Sequence, residues 1–309
     1  MKKTLRALAV LATLPYISLK IAWVAGSRIG IPENSVLLDD PGLMAVLNSV
    51  TVLMDLGVVV LALLLTQPWG LRVRSWLLGL PMWAATGLLA PIVVGFPVQL
   101  ATAAVAGAEQ HTAGGEPFLE EWVFSVVYGG FIVQALALGT LFVLYARDRW
   151  SHVWAGRVGE LAPDLCGRAT RVTAVAASVL ALVPAALHVL WASGAEWGLS
   201  AARIADRTSD YYVLEAVRAG FVVAAAAAVL TLVFRLGKAR RVGAPLAAAW
   251  IGTGGVGCWG AWMLLAASMP GSDPAKEPTA QMITSYAGEM ITGFLLAGCL
   301  TVFLRRRGA

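Results

Sequence analysis

The chain has 309 residues, of which 59% are hydrophobic and only 13% charged, whereas soluble domains carry roughly 25% charged residues. So little polar side chain cannot cover a water-soluble fold of this length, which excludes an ordinary soluble enzyme, a disordered chain and a secreted disulfide scaffold, and leaves a membrane protein. The net charge of +5 indicates a nucleic-acid partner only if the basic residues gather on one soluble face, and their positions along the chain give a different reading.

A membrane span needs about 20 mainly apolar residues, and eight segments meet that need, over 5–26, 42–66, 75–98, 121–146, 171–193, 211–234, 244–268 and 283–304. The first follows Lys2, Lys3 and Arg6 and begins like a signal peptide. Its apolar run continues past the usual length with no A-x-A site after it, so it is read as a span.

Placed on alternate sides of eight spans, seventeen Lys and Arg residues fall on one side and four on the other, with Lys20 and Arg218 inside spans. Basic residues accumulate in cytoplasmic loops. The expected protein is therefore a multi-pass protein of the cytoplasmic (inner) membrane with both termini cytoplasmic. Residues 27–41, 107–120, 194–210 and 269–282 are then external. The basic residues orient the chain and meet membrane lipids, and no nucleic-acid partner is expected.

The halves of the chain, 1–150 and 151–309, resemble each other in four places. Leu19-Lys20-Ile21-Ala22-Trp23-Val24-Ala25-Gly26 aligns with Leu187-His188-Val189-Leu190-Trp191-Ala192-Ser193-Gly194. Val46-Leu47-Asn48-Ser49-Val50 aligns with Val213-Leu214-Glu215-Ala216-Val217. Trp83, Thr86 and Gly87 align with Trp250, Thr253 and Gly254, and Tyr128 and Gly130 with Tyr286 and Gly288, each last pair following a Glu-Pro, Glu116-Pro117 or Glu277-Pro278. The expected fold is all-α, a polytopic membrane protein of eight transmembrane helices in a 4+4 tandem repeat. An even number of spans per unit gives both units one orientation, so the repeat axis is expected along the membrane normal. That parity excludes the inverted repeats of many secondary transporters, although parallel repeats also occur among them.

An ionisable side chain within a span is costly and marks a site by default. Lys20, Asp55, Glu215, Arg218 and Glu289 are such residues, accompanied by Asn48, Gln134, His188 and Tyr286. Asn48 and Asp55 are seven residues apart, almost two turns, and share a helix face. On the span boundaries above, Asp55 lies near mid-span, while Lys20, Asn48, His188, Glu215, Arg218, Tyr286 and Glu289 lie in the external halves. With Trp23, Trp191 and Tyr128 they are expected to line a polar and aromatic pocket that opens outward and has Asp55 at its floor. Structural roles compete with this reading. Glu215 and Arg218, at i and i+3, have the spacing of an ion pair; Lys20 has the reach to snorkel to the interface; His188 has the position of a hydrogen-bonded core residue; and Trp122, Trp197 and Tyr211 have the placement of interfacial anchors.

Several motif readings fail. Gly252-Thr253-Gly254-Gly255-Val256-Gly257 has the letters of GxGxxG without the βαβ context that motif requires, and is read as a surface for close helix approach. Asp39-Asp40 precedes Pro41 as a helix N-cap would. Cys166, Cys258 and Cys299 lack the spacing of a zinc site or a disulfide framework. The three acids come from three different spans with no aspartate-rich motif, so no metal and no cofactor is expected.

The polytopic pattern, the isolated intramembrane acids Asp55, Glu215 and Glu289, and the absence of metal motifs resemble the integral-membrane terpene cyclases of fungal meroterpenoid and actinobacterial indole-terpenoid pathways. The run Leu14-Pro15-Tyr16 and Leu19-Lys20, leading to Trp23 and Gly26, also resembles actinobacterial membrane proteins. Fungal cyclases generally have seven spans, one fewer than counted here. The resemblance implies a membrane-embedded enzyme that cyclises an apolar, lipid-soluble isoprenoid-type substrate after protonation. Asp55, Glu215 and Glu289 are then candidate catalytic acids, and Lys20, Trp23, Asn48, His188, Trp191, Arg218, Tyr128 and Tyr286 candidate substrate-binding residues. Burial favours the neutral form of a carboxyl group, as a general acid requires, and aromatic faces stabilise cations. A proton-coupled transporter and a non-catalytic immunity or assembly protein are the alternatives, because intramembrane Asp, Glu, His and Lys also build proton relays.

Overall fold

The structure, a computed structural model, describes residues 1–33, 35–38, 40–106, 119–205, 207–268 and 277–308. Asp39, Glu116-Pro117, Lys276 and most of the expected loops over 107–120 and 269–282 lie outside the described residues. The regular structure among the described residues is helical: α1 (Lys2–Leu11), α2 (Leu14–Val24), α3 (Pro41–Leu64), α4 (Ser75–Ala106), α5 (Glu121–Trp154), α6 (Arg168–Leu180), α7 (Leu182–Ala192), α8 (Ala201–Ala205), α9 (Ser209–Phe234), α10 (Gly243–Ala267) and α11 (Ala280–Gly308). Two compact units divide the chain, the first Met1–Ala85 with Glu109–Arg149, the second Thr86–Ala108 with Trp150–Ala309.

Among the described residues, seven stretches are long and apolar enough to cross a membrane: Lys2–Val24, Pro41–Leu64, Ser75–Thr102, Trp122–Trp154, Arg168–Ala192, Ser209–Phe234 and Ala280–Gly308. At 1.5 Å per residue the 24 residues of α3 reach roughly 36 Å, against a hydrocarbon core of about 30 Å. These helices turn large apolar side chains outward, among them Leu53, Val60, Val179 and Val223, while Asn48, Asp55, His188, Glu215 and Glu289 are buried. Polar residues inside and apolar residues outside are the arrangement of a multi-pass membrane protein, in which backbone groups are satisfied within the helices.

The expected span over 244–268 folds as the 25-residue α10 but is not one of the seven, because its many glycines lower its hydropathy. Those glycines instead allow contact. A Cβ on Gly252 would fall 2.9 Å from Cα of Ala225 on α9, one on Gly293 of α11 would fall 2.2 Å from the backbone of Gly257, and one on Gly87 of α4 would fall 2.4 Å from the backbone of Gly254. The GxGxxG letters therefore record helix packing.

Local sequence sets the breaks and ends. Pro15 starts α2 after a turn at Ala12-Thr13, where the Thr13 hydroxyl donates to the Val10 carbonyl at 2.8 Å. A similar turn at Ala181 separates α6 from α7, three residues before Pro184, as expected of residues that cannot donate a backbone hydrogen bond. Asp40 caps α3 by accepting from Leu43 N at 2.9 Å. In the second unit, arginines close the connection over 155–167 by donating to its carbonyls: Arg307 to Ala155 at 2.7 Å, Arg235 to Gly159 at 2.9 Å and Arg306 to Leu165 at 3.3 Å.

Candidate functional site

In the first unit, Tyr16, Lys20 and Trp23 follow one face of α2 at i, i+4 and i+7. The Lys20 ammonium donates to Oδ1 of Asn48 on α3 at 2.7 Å and lies 4.9 Å from the Tyr16 ring centroid and 5.0 Å from that of Trp23. Lys20 is thus tethered among an amide and two aromatic faces. The Trp23 indole N–H donates to the Ile29 carbonyl at 2.8 Å, so Trp23 ties the end of α2 to the chain that follows.

Asp55 lies almost two turns beyond Asn48 on α3, and both are 5% exposed. Gln134 of α5 hydrogen-bonds the Asp55 carboxyl, and Lys20 acts on it electrostatically from α2. Asp55 Oδ2 and Gln134 Oε1 are buried without a hydrogen-bond partner among the described residues. Tyr16 hydrogen-bonds Thr51, one turn before Asp55 on α3. Its ring meets Phe131 edge-on at 5.0 Å, Phe131 meets Tyr128 edge-on at 6.5 Å, and Tyr128 stacks on Phe124 at 6.1 Å. Within the first unit, Asp55 and Lys20 thus lie in one cluster with a tier of aromatic rings.

In the second unit, α7, α9 and α11 bring His188, Glu215, Arg218, Ser285, Tyr286 and Glu289 together. His188 Nδ1 lies 2.5 Å from Glu215 Oε2, and its Nε2 lies 3.0 Å from Glu289 Oε1 and 3.2 Å from Ser285 Oγ. Arg218 grips Glu289 with two nitrogens, Nη2 to Oε2 and Nε to Oε1, the latter at 3.3 Å. Its guanidinium is 5.4 Å from the Tyr286 ring centroid. Trp191 packs edge-on to His188 at 5.5 Å and donates its indole N–H to the Trp197 carbonyl at 3.0 Å.

The i, i+3 spacing that offered Glu215 and Arg218 as an ion pair does not give either its closest partner, although the two charges still act on each other. Glu215 turns to His188 on α7 and Arg218 to Glu289 on α11, because each finds a partner on a facing helix with which to share burial. Of the candidate residues, Lys20, Trp23, Asn48, Asp55 and Tyr128 belong to the first unit, and His188, Trp191, Glu215, Arg218, Tyr286 and Glu289 to the second.

Sequence reasoning left several participants without a role. Ser285 was legible, being four residues before Glu289 and so on the same face of α11. Gln134 was legible as a polar residue in a span, but its partner Asp55 lies 79 positions earlier. Gly260 was hidden: a Cβ there would fall 2.4 Å from Met290 N and 2.7 Å from Glu289 Cβ, so its missing side chain seats the turn of α11 that carries Glu289.

The two glutamates face opposite edges of the imidazole, so the three groups do not converge on one point. Among the described residues no group of three or more His, Cys, Asp or Glu side chains is arranged to hold a metal ion. Compared with protein-family models, curated protein sequences and solved structures, the chain matches none.

Proposed function

We propose that this chain is a membrane-embedded enzyme of the cytoplasmic (inner) membrane that cyclises a lipid-soluble isoprenoid-type substrate, with Asp55 as the proton donor. The observation that carries the reading is the Asp55 carboxyl group. Gln134 hydrogen-bonds it, while Oδ2 is buried without a hydrogen-bond partner among the described residues. In the neutral acid, Oδ2–H is then the one donor of the group not already committed. It would protonate an alkene carbon or an epoxide oxygen. The resulting carbocation would close a ring beside Tyr16, Tyr128 and Phe131, and return a proton to the carboxylate. The net change is an isomerisation and consumes no co-reactant.

The proposed architecture is eight spans in two four-helix units of one orientation, with α10 as a span and both termini cytoplasmic. Equivalent contacts at equivalent positions support the duplication. Lys20 bonds Asn48 across the first two long helical segments of one half, and His188 bonds Glu215 across those of the other. Trp23 and Trp191 each donate to the carbonyl six residues onward. Gly26 and Gly194 have φ of 89° and 95°, and Gly30 and Gly198 have φ of 72° and 78°. The seventeen-to-four distribution of basic residues supports the orientation.

A proton-coupled carrier is the second reading, favoured by the two carboxylates around His188. Incubating the purified protein in lipid with a panel of prenylated aromatics and isoprenoid epoxides, followed by chromatography and mass spectrometry, separates the two. A product of unchanged mass and shifted retention supports cyclisation. Uptake into proteoliposomes driven by a pH gradient, with no new product from any panel member, supports the carrier.

A further inference from the structure

The buried row Glu215–His188–Glu289 poses a problem of proton number. Both ring nitrogens of His188 face carboxylate oxygens, at 2.5 and 3.0 Å, but a neutral imidazole carries only one N–H. With both glutamates ionised, His188 must be an imidazolium; otherwise a lone pair on one nitrogen faces an anion. Arg218 already balances Glu289 by gripping both of its oxygens. The charge left over belongs to Glu215, and one added proton on the row cancels it.

The groups facing this row are few. Trp191 comes from α7, Tyr211 and Arg218 from α9, and Ser285 and Tyr286 from α11, while Tyr211 and Tyr286 also feel Arg203 of α8. Where α10 meets this turn it contributes Gly260, and it carries no charged side chain.

The members differ in access. The His188 side chain is 0% exposed, Glu289 3% and Glu215 9%. His188 lies one turn before the end of α7 at Ala192, and Glu215 less than two turns after the start of α9 at Ser209. Glu215 is therefore the open end of the row, next to the connection that carries the Arg207–Glu196 ion pair. Near it the Tyr211 hydroxyl is buried without a hydrogen-bond partner among the described residues. Glu289, the closed end, is fixed.

We infer that the Glu215–His188 contact is an exchangeable proton-binding site, loaded from the solvent at the Glu215 end, whose proton clasps α9 to α7. With the proton in place, Nδ1–H donates to Glu215 and Nε2–H to Glu289. When the proton leaves to water through the Glu215 carboxylate, the bare Nδ1 lone pair repels that carboxylate and Glu215 turns off the ring, while Nε2–H stays on Glu289. This site is separate from the Asp55 chemistry and stands or falls independently of it.

The test is solid-state nitrogen NMR of the full chain in lipid bilayers, with labelled histidine and His111 and His152 each changed to Gln so that only His188 reports. Between about pH 5 and about pH 10, a range that brackets ordinary imidazole titration, the expected spectrum passes from two protonated nitrogens to a single Nε2–H tautomer. Glu215→Gln offers an amide N–H to a bare Nδ1, so this variant should show the neutral Nε2–H form throughout. Two results would overturn the inference. An imidazolium that persists across the whole range makes the row a fixed ion cluster, and a neutral ring at acid pH in the unaltered Glu215 chain removes the proton from the site.

Discussion

Gly260 and Glu289 touch so closely that no side chain fits between them: a Cβ on Gly260 would lie 2.7 Å from the Cβ of Glu289 and 2.4 Å from the backbone nitrogen of Met290. The first prediction follows from this fit. Gly260→Ala forces α10 and α11 apart at the turn that carries Glu289, at a cost of about 1–3 kcal/mol for overpacking. Gly243→Ala, at the start of the same helix, meets nothing within 4 Å and should leave stability unchanged. Thermal unfolding of the two variants in the same detergent measures the difference; equal melting temperatures would contradict the packing described.

The Arg218–Glu289 pair gives the second prediction. Removing one member leaves the other charge buried and unpaired, which typically costs about 3–5 kcal/mol. Arg218→Met should therefore be strongly destabilising. Arg218→Met combined with Glu289→Met should recover part of the loss, because no carboxylate is then stranded opposite the missing guanidinium. A double variant whose loss equals the sum of the two single losses would show that the groups are not coupled.

Orientation is tested by thiol labelling in intact cells. Ala201 and Ser151 are both exposed, and the proposed topology puts them on opposite sides of the membrane. Ala201→Cys should react with an impermeant thiol reagent and Ser151→Cys should not. The native Cys166, on the Ser151 side, contributes little background, since it is 3% exposed and burial pushes its thiol pKa up against the pull of Arg306 and Arg171. Equal labelling at the two engineered sites would reject the orientation.

How much of this was legible in the sequence depends on the range of the interaction concerned. The i, i+7 spacing of Asn48 and Asp55 placed both on one buried face, and Asp40 before Pro41 identified a cap, because helix geometry acts locally. The pairing of Glu215 with Arg218 failed because the i, i+3 rule describes an isolated helix, whereas these side chains find partners on α7 and α11. The aligned positions of Lys20 with His188 and of Asn48 with Glu215 already marked the two helix-to-helix contacts, although no residue type is shared between them. Gly260 could not be read, since its role is the space it leaves for a residue 29 positions away. Residues 244–268, read from the sequence as a span, were legible as a helix, but they are not among the seven stretches apolar enough to cross a membrane, because their glycines serve packing and lower the hydropathy.

In the proposed reaction Asp55 donates the starting proton. Asn nearly preserves the shape of Asp and still hydrogen-bonds Gln134, yet it cannot supply an acidic proton. Product formation by purified Asp55→Asn, compared with the unaltered chain on the substrate that the panel identifies, is the most direct measurement, with Glu215→Gln and Glu289→Gln run beside it. Asp55→Asn should insert and fold normally but form product roughly 10²-fold or more slowly, while Glu215→Gln retains turnover and Glu289→Gln, which strands Arg218 and is destabilised, retains turnover per folded molecule. Full product formation by Asp55→Asn would contradict the assignment, and loss of product by folded, monodisperse Glu215→Gln or Glu289→Gln alone would move the donor to that residue.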